Sequence, residues 1–213
     1  MNAIACKAVL FDLDGTLVDS GACIEKLWTE WATRHHLDVK HVLANIHGRT
    51  IEETLRLVSP YFANQQCVDE VKALAIEALS QVSAIGGAIE FVRQLPPACW
   101  AIVTSGAKKV SMQSVNSAGI PLPEMMITSE DIMHGKPHPE PYLMAAANFG
   151  LPVQKCVIFE DAESGVKSAL AAGGQVIVVG AGVPITSPQI KATVADLTGF
   201  KAEFVDGIIH LSW

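Results

Sequence analysis

The stretch Ala8-Val9-Leu10-Phe11-Asp12-Leu13-Asp14-Gly15-Thr16-Leu17-Val18-Asp19-Ser20 decides how this chain folds. Its first half, taken from Cys6, is an apolar run of strand length, as expected of a strand buried on both faces. The run then breaks into carboxylates. Asp12 falls at the carboxyl end of the strand, and Asp14 follows on a turn where Gly15 permits backbone conformations that other residues resist. Two acids on either side of one residue, at the end of a central strand, can share a hard cation and still aim one oxygen at a substrate. The plainer reading is an Asx-type turn, with Asp19 or Ser20 capping the next helix. That reading suits Asp19 and Ser20. It fails for Asp12, because an unpaired carboxylate beside a buried strand is costly.

Working outward, the 213 residues suffice for one α/β domain carrying a smaller insertion. Half the residues are hydrophobic and 17% are charged, which predicts a sizeable core. The net charge of −7 argues against nucleic acid as an electrostatic partner, yet leaves room for a small anionic substrate near one local cation. Cys6, Cys23, Cys67, Cys99 and Cys156 are odd in number and show no C-x-x-C spacing, so neither a zinc site nor a disulfide framework is expected. Reduced thiols, no signal peptide and no transmembrane run together predict a cytoplasmic protein without membrane contact.

From about 18 to 82 the apolar residues recur at helical spacing. Ile24, Leu27, Trp28, Trp31 and Ala32 mark one helix, Val42 to Ile46 a short one broken at His47-Gly48, Ile51 to Val58 another, and Val68 to Val82 a fourth. Beyond residue 82, strands and helices alternate. Helices are expected over 87–95, 107–118, 140–149 and 164–172, and strands at 100–103, 125–128, 157–159 and 176–179. Such alternation with short links predicts a doubly wound, Rossmann-like parallel sheet. An all-helical block within it reads as an inserted domain, giving a core of residues 1–17 and 83–213 around residues 18–82. The tail carries Asp206-Gly207 between two β-prone runs, a hairpin signal. Thr186 to Lys191, with Pro184 and Pro188 as markers, read as an exposed loop.

Three further positions carry chemistry. Thr104, Ser105 and Gly106 follow a predicted strand and open a helix, an arrangement that can hold an anion. Lys136 sits between Gly135 and Pro137 and therefore on a loop. Glu160-Asp161 ends the strand at 157–159. The first stretch resembles the opening motif of the haloacid dehalogenase-like hydrolases, DxDGTLxDS, and these three positions resemble that family's second, third and fourth motifs in the family's order. The resemblance implies that Asp12 is the nucleophile, forming an aspartyl-phosphate, and that Asp14 is the general acid and base. It implies phosphoryl binding by Asp12, Leu13, Asp14, Thr104, Ser105, Gly106 and Lys136. It further implies Mg²⁺ held by Asp12, Asp14 and Asp161, with Glu160 as second ligand or water-mediated partner. An all-oxygen set suits Mg²⁺ better than zinc.

By the same resemblance the helical block is the family's first cap type, where selectivity for the body of the substrate is expected. His47-Gly48-Arg49-Thr50 is the candidate element, with Arg49 reaching sugar hydroxyls or phosphate; a solvated surface loop is the competing reading. His35-His36 read as surface residues. The whole-chain pattern resembles the bacterial sugar phosphatases and 2-deoxyglucose-6-phosphatase-like members, implying hydrolysis of small phosphorylated sugars or polyols by a monomer or weak dimer. A β-phosphoglucomutase-like isomerase shares all four motifs, and a non-catalytic phosphosugar-binding regulator would be expected to lack Asp12, Asp14 or Asp161, all of which are present.

Overall fold

The computed structural model describes residues 2–213; residue 1 of the expected core segment lies outside them. In chain order the elements are β1 (Ala3–Cys6), β2 (Ala8–Phe11), β3 (Val18–Asp19), α1 (Gly21–Arg34), α2 (Val39–Leu43), α3 (Ile51–Val58), α4 (Gln65–Ala78) and β4 (Ser83–Ala84). There follow α5 (Ala88–Val92), β5 (Trp100–Val103), α6 (Lys108–Ser117), β6 (Met125–Ile127), α7 (Glu140–Asn148), β7 (Cys156–Glu160) and α8 (Glu163–Ala172). The last are β8 (Gln175–Val179), β9 (Ile190–Val194), β10 (Lys201–Val205) and β11 (Ile208–Ser212).

Six strands form one sheet in the order β6-β5-β2-β7-β8-β9, and every adjacent pair is parallel. All four residues of β2 and of β5, and all five of β7, are buried, as both-face coverage requires. Alternate residues feed two cores. Val9, Phe11, Ile102 and Phe159 pack on one face with Phe91 and Phe200, while Leu10, Val103, Ile158 and Val178 pack on the other with Tyr142 and Val166. From β2 the chain builds outward through β5 and β6, then returns to β2's other side with β7. The order therefore reverses beside β2, and the crevice at such a point lies at the carboxyl ends of the strands.

The helices α1 to α4 form a separate layer between β3 and β4. The short ribbon pairs Val18 with Ala84 and Asp19 with Ser83, so this segment leaves and rejoins the sheet at one place. Leu27, Trp28, Trp31 and Ala32 of α1 are buried, as are Val68, Val71 and Ala75 of α4. Thr50 opens α3 with a full capping box: its hydroxyl accepts the Glu53 amide and the Glu53 carboxylate accepts the Thr50 amide.

Several expectations are corrected. Ile190 and Lys191, assigned to a loop, begin β9, where side chains alternate between half-buried and exposed along a sheet edge. The strand assigned from Cys6 divides at Lys7, and β1 joins β11 in a second sheet, β1-β11-β10. The tail hairpin forms as expected, its turn set by Asp206 at φ 50° and Gly207 at φ 76°. Cys6 and Cys156 are buried core residues, Cys99 is only partly covered, and all five thiols are free. His35 is half-buried, one of its ring nitrogens 2.9 Å from Glu70 and its ring packed on Trp31 and Phe62. His36 is exposed. Among the described residues no helix is long and apolar enough to cross a membrane.

Candidate active site

The carboxyl ends of β2, β5 and β7 bring together residues 124 and more positions apart in sequence. Asp12 follows β2 directly, its amide donating to the Phe159 carbonyl at 2.9 Å. Lys136 Nζ donates to Asp12 Oδ1 at 2.6 Å, to Glu160 Oε1 at 2.6 Å and to the Val103 carbonyl at 3.0 Å, which engages all three of its protons. Glu160 is equally occupied. Its Oε1 also accepts the Tyr142 hydroxyl at 2.7 Å, and its Oε2 accepts the amides of Asp161 and Ala162 at 3.0 and 3.2 Å. Gly165, within α8, leaves the room this carboxylate needs; a methyl there would collide with it.

Asp14 Oδ1 accepts the Ser20 hydroxyl at 2.7 Å. Ser20 does not cap α1 with its side chain, as the sequence suggested: its backbone is helical at φ −108° and ψ −8°, and its hydroxyl is turned to Asp14. Asp161 stands across from Asp14, over Gly15, whose φ of 88° and missing Cβ let the carboxylate approach. Thr104 Oγ1 accepts the Gly106 amide at 3.0 Å and so keeps its own proton for another acceptor. Neither Thr104 nor Ser105 caps α6. Ser105 Oγ instead donates to the Gly48 carbonyl at 3.0 Å, and Ser164 Oγ donates to the His47 carbonyl at 3.3 Å. Two core hydroxyls thus hold the His47-Gly48 turn over the crevice.

A cavity of about 200 Å³ runs from these loops into the helical layer. Of the candidate residues, Asp12, Asp14, Thr104, Ser105, Gly106, Arg49 and Asp161 line it. Leu13, Lys136 and Glu160 do not. Leu13 is fully buried in the core, its carbonyl accepting the Leu17 and Val18 amides, while Lys136 and Glu160 sit behind Asp12 at about 1% side-chain exposure. Arg49 is at the cavity with Nη1 donating to the Asn45 carbonyl at 3.3 Å. The inner wall is apolar, with Ile24, Leu27, Trp28, Ile46, Val71 and Leu79. The sequence reading did not identify these wall residues, because their helical spacing matches that of an ordinary core face. Tyr142 falls in the KPxPxxY pattern that marks Lys136, but its bond to Glu160, in another element, has no local signal.

Four carboxylates, those of Asp12, Asp14, Glu160 and Asp161, surround one buried ammonium. Burial pushes Asp12 up to about 7; Lys136 opposes the shift, and Glu160 and Asp14 add to it. Burial also raises Asp14 above its ordinary value, against the Ser20 hydroxyl and Lys136. Asp161 is pushed up to about 9 by burial and by the charges of Asp12 and Glu160. Burial disfavours the charged form of Lys136, yet Asp12 and Glu160 outweigh it and hold the ammonium above the usual lysine value. One carboxyl oxygen each of Asp12, Glu160 and Asp161 lie within 4.8 Å of one another. A donor set of hard oxygens with surplus negative charge fits a divalent metal ion.

The family profile of the haloacid dehalogenase-like hydrolases matches residues 9–179. The chain belongs to this family. Hexitol phosphatase A of Escherichia coli K12 is 43% identical over 191 residues, covering 87% of this chain and 88% of that protein. The 2-deoxyglucose-6-phosphate phosphatase 1 of Saccharomyces cerevisiae is 32% identical over 221 residues, covering 92% and 86%. A β-phosphoglucomutase crystal structure from Clostridium difficile shares the fold, with a TM-score of 0.70 at 19% identity over 82% of this chain and 85% of that one. As a haloacid dehalogenase-like hydrolase, the chain carries its four motif positions at one sheet edge, three of them at strand ends and the fourth, Lys136, on the β6–α7 loop.

Proposed function

We propose that this hydrolase removes the phosphoryl group from small sugar or polyol phosphates through an aspartyl-phosphate on Asp12. The observation that carries the reading is the pairing of Asp12, ion-paired from behind by Lys136, with Asp14, raised by burial, on one wall of the cavity. The phosphatase names of its relatives support it. Asp12 Oδ1 is fixed by Lys136, so the other oxygen faces the substrate phosphorus. The Thr104 hydroxyl donates to a phosphoryl oxygen. Asp14, whose raised affinity for a proton suits it to the task, protonates the departing alkoxide. It then takes a proton from the water that cleaves the Asp12 acyl-phosphate. Asp12, Asp14 and Asp161 would hold a Mg²⁺-class ion, which supplies charge to offset the phosphate and the clustered carboxylates. Glu160 positions Lys136, and its oxygens complete the cluster with Asp12 and Asp161 that would hold the ion, directly or through water. Residues 18–82 form the cap over this chemistry, and the apolar wall with Arg49 receives the body of the substrate.

The test is phosphate release across sugar, polyol and nucleotide monophosphates with Mg²⁺, using Asp12→Asn as the control. The variant should fold like the parent and lose turnover by about three orders of magnitude or more. Parent-like phosphate release from Asp12→Asn would overturn the mechanism. Formation of glucose 6-phosphate from β-glucose 1-phosphate without phosphate release would replace hydrolysis with isomerisation.

A further inference from the structure

The loop between β6 and α7 carries a second cluster of donors. His134 and His138 flank Lys136 by two positions on each side, and Glu140 begins the helix that follows. The two imidazole rings face each other, centroids 4.6 Å apart and planes inclined by 34°. Glu140 Oε2 lies 2.8 Å from His134 Nδ1 and 3.9 Å from His138 Nδ1. One nitrogen from each ring and one Glu140 oxygen fall within 4.8 Å of one another. We propose that His134, His138 and Glu140 form a surface site for a divalent transition-metal ion of the Zn²⁺ class.

Bonds of about 2.0–2.2 Å from nitrogen and oxygen to zinc place neighbouring ligand atoms roughly 3–4 Å apart, a spacing that small side-chain adjustments from the present 2.8 and 3.9 Å would reach. The backbone beneath them is fixed before any ion arrives. Glu140 Oε1 accepts the Met133 amide at 2.7 Å, and Oε2 accepts the His134 amide at 3.1 Å. The His138 amide donates to the Gly135 carbonyl at 2.9 Å, and the His138 carbonyl accepts the Ser168 hydroxyl of α8 at 2.6 Å. His138 Nδ1 accepts the Glu140 amide at 3.2 Å, so its lone pair already points toward the start of α7 beside the Glu140 carboxylate.

The donor chemistry separates this cluster from the acid site. Imidazole with carboxylate favours zinc, nickel or copper, whereas an all-oxygen set favours magnesium. All three side chains are reachable from solvent, those of His134 and His138 being 61% and 51% exposed. Three protein ligands leave a zinc coordination position for water. Because the loop also carries Lys136, an ion here braces the segment that delivers the ammonium to Asp12.

The test adds Zn²⁺ to the full chain in excess Mg²⁺. The chain has seven histidines, and their ring resonances are followed by NMR while calorimetry gives the affinity. The expected result is one Zn²⁺ per chain, with the His134 and His138 resonances shifting together and the other five still. The His134→Ala, His138→Ala double variant should bind Zn²⁺ roughly a hundredfold more weakly, while Asp161→Asn should keep the site. If zinc saturates the chain without moving these two rings, or if Asp161→Asn abolishes binding that the double variant retains, the site does not exist. The parent-chain NMR decides the matter even if the double variant folds poorly.

Discussion

Lys136 shows how a single side chain organises this site. A buried ammonium is stable here because two carboxylates and a carbonyl meet all its protons, and one of those carboxylates, Glu160, is in turn held by Tyr142 and two amides. Removing one donor from such a network leaves a buried acceptor short. Tyr142→Phe should destabilise the protein by about 1–3 kcal/mol, read as a drop in Tm of roughly 2–4 °C per kcal/mol, with the fold retained. An unchanged Tm would show that water replaces the hydroxyl. Cys6 gives a second residue-level test. Burial, aided by the charge of Cys156, pushes its thiol from 9.0 up to about 12. Below pH 9 both folded and unfolded chains keep the proton. Above it the unfolded thiol ionises first, so stability falls with rising pH, by up to about 1.4 kcal/mol per pH unit. Thermal melts at pH 8 and pH 10 should therefore diverge less in Cys6→Ala than in the parent. The motif acids were legible at this scale because an apolar strand ends in them, and that is hard to explain by packing. Ser20 was not. A serine at a helix start reads as a cap, and only the folded chain shows its hydroxyl donating to Asp14 while no amide of α1 reaches its oxygen.

Between elements, the decisive contact is the turn between α2 and α3. Gly48 has a φ of 69°, and a methyl on it would collide with the Ser164 hydroxyl. Any other residue is strained there by about 1–3 kcal/mol and is pushed off the two serines that hold the turn down. Gly48→Ala should raise KM for sugar phosphates, about tenfold per 1.4 kcal/mol, while shifting Tm by only a few degrees, because the turn is partly exposed. Parallel changes in kcat alone would mean that the turn serves chemistry and not closure. Apolar periodicity made the helices and the buried strands readable. It did not reveal β9, whose alternation Ile190-Lys191-Ala192-Thr193-Val194 follows a proline-marked loop, nor β3 and β4, since two-residue strands have no period to detect.

At the scale of the molecule, the second sheet ties the chain's two ends together. β11 lies between β1 and β10, Ile209 and Leu211 are fully buried, and Trp213 stacks on Phe200, which packs against Phe91 and Phe159 of the main core. Ending the chain after residue 200 removes Ile209, Leu211 and Trp213, whose burial is worth about 1.5–3 kcal/mol each, and uncovers Phe200. The truncated protein should melt roughly 10 °C or more below the parent or fail to accumulate as soluble protein. A truncated chain with the parent's Tm would make the tail an ornament. The Asp206-Gly207 turn announced the hairpin, but pairing residue 3 with residue 212 lies beyond any local pattern.

The ribbon of β3 and β4 has a consequence for how such a protein changes over time. Val18 faces Ala84, so about 5 Å separates the two points where the helical segment departs and returns. A segment anchored at so narrow a neck can lengthen, shorten or be exchanged without altering the register of the parallel strands beneath it. If the proposed division of labour holds, drift in this smaller segment is free to explore new substrates while the acids at the sheet edge stay constant, and descent with new specificity requires no new catalyst.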